Sequence, residues 1–315
     1  MRKKLLDLLS SGEFVSGESL AKKLHVSRAA VWKQVKVLID IGYEIESVKN
    51  KGYRLLSRPD IPVFEEVTRD LDTKIIGKNL HYLKTIDSTN FYAKKLLEVG
   101  AEEGTIVVSD IQTKGRGRKD RSWSSPSGGL WFSIVLYPDI PPQNAMNVTM
   151  TASISIAQGI EKTTGLQPEI KWPNDLLIKN KKVCGILTEL DAEMDKINYA
   201  IIGIGINVNN EINKNLVNIA TSIFDEIGEN VSRVALLKSI LESFDENYCK
   251  FKNNDFDFIK KTWFSYSKIF GKKVQLKCEG STVEGVVENI DESGCLILKT
   301  AEGSVRIVTG DLSIL

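Results

Sequence analysis

The sequence predicts an α+β protein in three parts: a winged helix-turn-helix over residues 1–60, a mixed α/β core over 61–270 and a small β-barrel over 271–315. Three observations predict it. Residues 1–60 hold 12 Lys and Arg against 7 Asp and Glu, a net of +5, whereas the remainder hold 30 against 34, although the whole chain is only +1. Through the middle, strand-like runs alternate with helix-period ones. After Gly271 only short strand-like runs remain, parted by Gly-containing turns. A length of 315 residues suits two or three such parts.

The basic part begins with a short helix over 3–10. A helix over Glu18–Leu24 follows, then a tight break at His25–Val26 and a second helix over Ser27–Ile41. Ser27 is placed to accept a free backbone N–H as N-cap, and Gly42 to stop the helix. Leu20, Leu24, Val31, Val35 and Leu38 form the apolar stripe. Ser27, Arg28, Ala29, Trp32, Lys33 and Lys36 are left to face a major groove and its phosphates. The next segment reads as a hairpin with its tip at Lys49–Gly52, so Lys49 and Lys51 join the DNA-binding set. The rival is a protein-interaction module with a merely solvated charged face; basic excess, helix spacing and basic hairpin together favour DNA.

"SRPDIP" at 57–62 reads as a linker, because its prolines stop both helix and ladder. Beyond it, strands are predicted at "GTIVVSD", "GLWFSIVLY", "EIKW", "DLLI", "KVCGILTEL" and "YAIIGIGINV", with helices near 88–99, 148–164 and 232–252. The last part is strands alone: "KKVQLKC", "TVEGVVENI", "CLILKT" and "SVRIV". No apolar run approaches the roughly 18 residues of a membrane helix, and the N-terminal apolar stretch is too short for a secretory signal. A cytoplasmic protein with no membrane partner is expected. Cys184, Cys249, Cys278 and Cys295 are isolated, and with His25 and His81 they give no workable zinc spacing.

The chemistry centres on "TKGRGRKDRSW", residues 113–123, a loop between two predicted strands. Gly115 and Gly117 allow the backbone close to a ligand, and Arg116 and Arg118 offer forked donors for carboxylate or phosphate. It is neither a P-loop nor a dinucleotide fingerprint. A solvated basic turn is the bland alternative, and two further stretches weigh against it. "KWPND" puts Lys171, Asn174 and Asp175 on one turn, where Asp175 can offer oxygen to Mg²⁺, and Lys182 opens the next strand beside it. "GIGINVN" is a glycine-alternating strand ending at Asn207, either a surface for a flat ligand or a glycine-relieved core strand.

Taken in order, "STN" at 88–90, "GRGRKDRSW" at 115–123, "KWPND" at 171–175, the stretch from Lys182 through "GIL" to Glu189, and "GIGINVN" resemble the bacterial biotin protein ligases. With the N-terminal module, the whole chain resembles the bifunctional class, biotin ligase and biotin operon repressor. The resemblance implies a ligase domain of the biotin/lipoate type, a C-terminal SH3-like barrel, and two steps: biotin and ATP give biotinyl-5′-AMP, and biotin then passes to a lysine of a biotin carboxyl carrier protein or domain. It implies biotin-binding roles for Ser88, Thr89, Asn90, Gln112, Gly115, Arg116, Gly117, Arg118 and Lys182. ATP or adenylate falls to Arg118, Trp123, Lys171, Asn174, Asp175 and Asn207, Mg²⁺ to Asp175, and catalysis to Lys182, Arg118 and Arg116. Biotinyl-5′-AMP would also act as corepressor, with a homodimer on the operator DNA of biotin genes. Asp120 departs from the glycine of many relatives, which bears on loop geometry. The rival readings are a biotin-sensing transcription factor without ligase activity, a lipoate ligase, and a ligase whose N-terminal module serves only docking.

Overall fold

In the computed structural model, which describes residues 1–278 and 281–315, the chain divides into two compact units, Met1–Ile61 and Pro62–Leu315. The first contains α1 (Arg2–Leu9), α2 (Gly17–Leu24), α3 (Arg28–Ile41) and the hairpin of β1 (Glu44–Val48) and β2 (Gly52–Ser57). Its boundaries follow from local chemistry. Ser16 and Ser27 accept the Ser19 and Ala30 amides as N-caps, and α2 and α3 end on left-handed His25 and Gly42. Leu5, Leu6, Leu9, Leu20, Val31, Val35, Leu38 and Tyr43 form a separate small core. Leu24, expected in the stripe, is only partly buried at its rim, and α1 supplies three core leucines that the sequence did not mark.

The second unit runs through α4 (Phe64–Val67), β3 (Leu80–Ile86), α5 (Thr89–Glu98), β4 (Ile106–Gln112), β5 (Leu130–Leu136), α6 (Ala145–Thr164), β6 (Glu169–Lys171), β7 (Asp175–Ile178), β8 (Lys181–Ala192) and β9 (Ile197–Ile206). Then follow α7 (Ile223–Ile227), α8 (Arg233–Lys252), α9 (Phe256–Tyr266), β10 (Lys273–Cys278), β11 (Ser281–Ile290), β12 (Leu296–Thr300), β13 (Gly303–Ile307) and β14 (Asp311–Ile314). A seven-stranded sheet in the order β3-β4-β5-β9-β8-β7-β6 is antiparallel except for the β3–β4 pair. Its two faces differ. One packs Phe132, Ile134, Ile202, Ile204 and Ile206 with α6 and α8 into the main core. On the other, α5 covers only the stretch around Val107, Val135 and Ile201, leaving the rest of that face free for a cavity.

The C-terminal strands make a five-stranded antiparallel sheet in the order β13-β12-β11-β10-β14. The expected SH3-like barrel is therefore met as a small β-domain, and among the described residues no ladder joins β13 to β14 to close it. This sheet shares the main core, and the Trp172 indole N–H donates to the Gly294 carbonyl at 3.2 Å. Strands β3 and β14 and helices α4, α7 and α9 were absent from the sequence reading. The strands are edge-placed, α4 and α7 are short, and α9 takes its burial from distant partners.

Candidate active site

Three strands of the open face build a trough whose floor is the middle strand β9, free of side chains at Gly203 and Gly205. Ser133, Gly203 and Leu187 lie in register across β5, β9 and β8, and Trp131, Gly205 and Gly185 form the next row. The two glycines of β9 make room for the protein's own side chains. A Cβ on Gly203 would meet Asn90 Oδ1 at 2.3 Å, and one on Gly205 would meet the Trp123 indole nitrogen at 2.4 Å. Trp123 thus lies against Gly205, and Gly203 and Gly205 both remain in the cavity lining.

A cavity of about 280 Å³ opens above. At one end, Ser88, Thr89, Asn90 and Gln112 present hydroxyls and amides from the start of α5 and the end of β4. Ser88 is the N-cap of α5, yet its hydroxyl makes no capping bond. Gln112 Oε1 accepts both the amide of Thr89 at 2.8 Å and its hydroxyl at 3.1 Å, and Gln112 Nε2 donates to Ser125. At the other end sit Arg116, Arg118, Arg121, Asn174, Asp175 and Lys182. The Lys182 ammonium is 2.6 Å from Asp175 and 5.0 Å from the centroid of the Trp123 ring. One wall is therefore neutral and polar, the other cationic.

The glycine-arginine loop is a short hairpin. Trp123 N donates to Gly115 O, Gly117 N donates to Arg121 O, and the tip residues Lys119 and Asp120 both have positive φ, 54° and 55°. Two left-handed residues at a tip favour Gly, Asn or Asp, so Asp120 is compatible with the turn. Gly115 is required by its own partner strand, since a Cβ there would lie 2.3 Å from Trp123 O. It is buried and does not line the cavity, so the expectation that it approaches ligand is corrected: its neighbour is backbone. Arg118 donates to Asn174 Oδ1 at 2.9 Å and Thr309 Oγ1 at 2.7 Å, and Arg121 donates to Asp311 at 2.7 Å with Lys119 nearby. The C-terminal sheet thereby holds the loop over the trough. Burial draws the Arg118 guanidinium below its usual value against the pull of Asp311 and Asp175, and it remains a cation at neutral pH.

Two other predicted residues sit differently from expectation. Lys171 pairs with Asp175 across the β6–β7 hairpin and does not line the cavity. Asn207 lines it, but its amide donates to Thr221 O and accepts from Asn210, tying down the 208–221 segment. That segment adds Glu211, Asn213, Leu216 and Ile219 to the lining, none of them marked by the sequence. Ser125, Ser133, Thr309 and Asp311 were also missed, as isolated polar residues with no motif of their own. Among the described residues no three His, Cys, Asp or Glu side chains gather to hold a metal.

In the first unit, α3 exposes Ser27, Arg28, Ala29, Trp32, Lys33 and Lys36 together, and the hairpin tip exposes Lys49 and Lys51. Trp32 is 57% exposed with Lys36 Nζ 5.6 Å from its ring centroid.

Comparison with known proteins matches three stretches of the chain. The model of the biotin/lipoate A/B protein ligase family matches residues 82–207, an HTH domain matches 2–54, and a biotin protein ligase C-terminal domain matches 269–315. The bifunctional ligase/repressor BirA of Bacillus subtilis (strain 168) is 41% identical over 320 residues, covering all of this chain and 98% of the relative. The chain belongs to the bifunctional biotin ligase and repressor family. The Escherichia coli (strain K12) member is 30% identical over 94% of this chain and 91% of its own length. A biotin protein ligase from Aquifex aeolicus, solved with biotin and ATP, superposes with a TM-score of 0.66 at 35% identity, over 76% of this chain and 99% of that one. As in other members of this family, a ligase core and a helix-turn-helix share one chain, which disfavours the pure sensor and the lipoate ligase readings.

Proposed function

We propose that the cavity joins biotin to ATP, giving biotinyl-5′-AMP and pyrophosphate, and then passes biotin to a lysine of a biotin carboxyl carrier protein or domain. The observation that carries this reading is the cavity's polarity: hydroxyls and amides at one end suit a buried ureido ring, and clustered cations at the other suit two anions that must meet. The biotin carboxylate and the α-phosphate repel each other, and a lysine with two arginines offsets that repulsion as the carboxylate oxygen attacks phosphorus. Ser88, Thr89, Asn90 and Gln112 hold the head group. Lys182 faces the carboxylate and α-phosphate, and Arg116 and Arg118 close over the adenylate, with Gly117 in the same hairpin. Trp123 lies beneath Lys182 and beside the nucleotide. The acceptor amine then attacks the mixed anhydride, AMP leaves, and no side chain of the enzyme is acylated.

Mg²⁺ supplies charge neutralisation on the triphosphate. One carboxylate, Asp175, with the Asn174 amide beside it is a donor set for an ion that keeps most of its ligands as phosphate and water. Asp175 is paired with Lys182, which fits an ion arriving with ATP rather than a resident one.

The first unit binds operator DNA of biotin genes through α3 and the hairpin tip, with biotinyl-5′-AMP as corepressor and a homodimer matching two half-sites. The adenylate reaches either acceptor or operator, so repression follows when acceptor is scarce. ATP-dependent ligation and DNA binding in one chain support a cytoplasmic location. No helix among the described residues is long and apolar enough to cross a membrane.

The deciding experiment is biotin-dependent exchange of labelled pyrophosphate into ATP with Mg²⁺, run beside lipoate. Exchange with biotin alone is expected. Exchange with neither acid would leave the cavity without this chemistry and restore the sensor.

A further inference from the structure

Glu189 belongs to none of the ligand sets above, yet two separate parts of the cavity end on its carboxylate. Asn90 Nδ2 donates to Glu189 Oε2 at 2.7 Å, and Arg116 Nη1 lies 3.4 Å from Glu189 Oε1. On the far side of Asn90, the Ser133 hydroxyl is 2.6 Å from Asn90 Oδ1 and 2.7 Å from Thr89 Oγ1. Asn90 is 5% exposed and Ser133 fully buried. Gly203 leaves the Asn90 carboxamide just enough room on the strand.

Proton counting along this row has a definite result. A carboxylate only accepts, so Glu189 forces the NH₂ of Asn90 to its own side and the carbonyl oxygen toward Ser133. Ser133 has one hydroxyl proton, and Asn90 Oδ1 takes it. Thr89, whose hydroxyl donates to Gln112 Oε1 at 3.1 Å, closes the row with its oxygen 2.7 Å from that of Ser133. With the carboxamide reversed, Asn90 would turn an oxygen toward the carboxylate and its NH₂ toward Ser133, so the carboxylate is what holds the Asn90 amide in one orientation.

We propose that Glu189 is a positioning residue that fixes the orientation of the Asn90 carboxamide at the head-group end and at the same time tethers Arg116 of the loop. Head-group recognition and loop closure thus share one carboxylate. The two arms differ in strength. The Asn90 bond is short and shielded, whereas Arg116 is 57% exposed and Glu189 37%, so solvent screens the ion pair. This inference rests on the reading of the cavity as a biotin site.

The test separates the arms with two variants of the full chain, Glu189→Gln and Glu189→Ala, followed by pyrophosphate exchange, by release of preformed adenylate, and by the rise in melting temperature on adding biotin alone. Gln keeps an oxygen for Asn90 but loses the charge on Arg116; Ala loses both. Ala is expected to raise the KM for biotin at least about tenfold, the scale of a lost charge-assisted hydrogen bond, with the KM for ATP within about twofold. Gln is expected to restore the KM for biotin to within about threefold while releasing adenylate as fast as Ala does, faster than wild type by a few-fold for an exposed pair.

A general loss of structure would move both KM values together and would not be rescued selectively by Gln. A wild-type KM for biotin in Ala, or equal defects in Gln and Ala, overturns the Asn90 arm; wild-type adenylate release in Gln overturns the Arg116 arm. If Ala does not fold, Glu189→Asp takes its place, since the shorter carboxylate cannot span both partners. Absence of exchange in wild type would count against the ligase reading, and the melting shift with biotin would still decide whether Glu189 governs head-group binding.

Discussion

Lys182 illustrates how much of a side chain's role is settled by its neighbours. Its ammonium is fixed between the Asp175 carboxylate and the face of Trp123, which removes most of the rotamer freedom that a lysine otherwise loses on binding an anion. Lys182→Gln keeps the stem and removes the charge. Loss of one preorganised charge at the reacting centre is expected to lower adenylate formation about 10²- to 10³-fold. Stopped exchange measured beside an unchanged melting profile checks this; a rate within about threefold of wild type would remove Lys182 from the chemistry. The neighbouring Cys184 takes no part. Burial pushes its thiol far up, despite the nearby lysine, and the neutral group packs in the core as a small hydrophobe.

The glycine-arginine hairpin and β14 form a latch between two elements distant in sequence. Burial tends to raise the Asp311 carboxyl, but hydrogen bonding and charge from Arg121, with Lys119, hold it below its ordinary 3.8. A lowered carboxylate pKa contributes stability above the unfolded value and loses it as pH falls through the folded one, so the latch is intact at neutral pH and weakens only below about pH 4. Both partners are substantially exposed, at 67% for Arg121 and 38% for Asp311, which limits the pair to about 1 kcal/mol. Asp311→Asn is therefore expected to speed tryptic cleavage within Arg116–Arg121 about fivefold at most at neutral pH. An unchanged cleavage rate would mean that the Arg118 bonds to Asn174 and Thr309 hold the loop by themselves. The hairpin was legible in part: its glycines and cations announced a loop for anions, but nothing in "GRGRKDRSW" points to a residue 190 positions later.

Across the whole molecule, charge is divided so that one unit attracts polyanions and the other is free to hold small ones inside a cavity. The α3 face is basic and exposed, and DNA affinity should fall steeply with salt. Lys33→Ala with Lys36→Ala is expected to lower the slope of log K against log salt by about 2, near 0.9 per lost phosphate contact, in gel-shift titrations with operator fragments. A slope unchanged by the double substitution would place the DNA elsewhere. What the amino-acid order determined by itself was local: the capped helices of the N-terminal unit, the buried strands with their alternating faces, and the motifs that mark a cationic site. These depend on neighbours within a few residues, where propensity, capping and periodicity act directly. What tertiary structure alone decided was who meets whom. Trp123 fills the space beside Gly205; Lys171 lies outside the cavity lining while Asp311 is part of it; and Glu189 touches both Asn90 and Arg116. Those pairings come from strand register and from the packing of the C-terminal sheet on the core, which join positions that no local pattern relates.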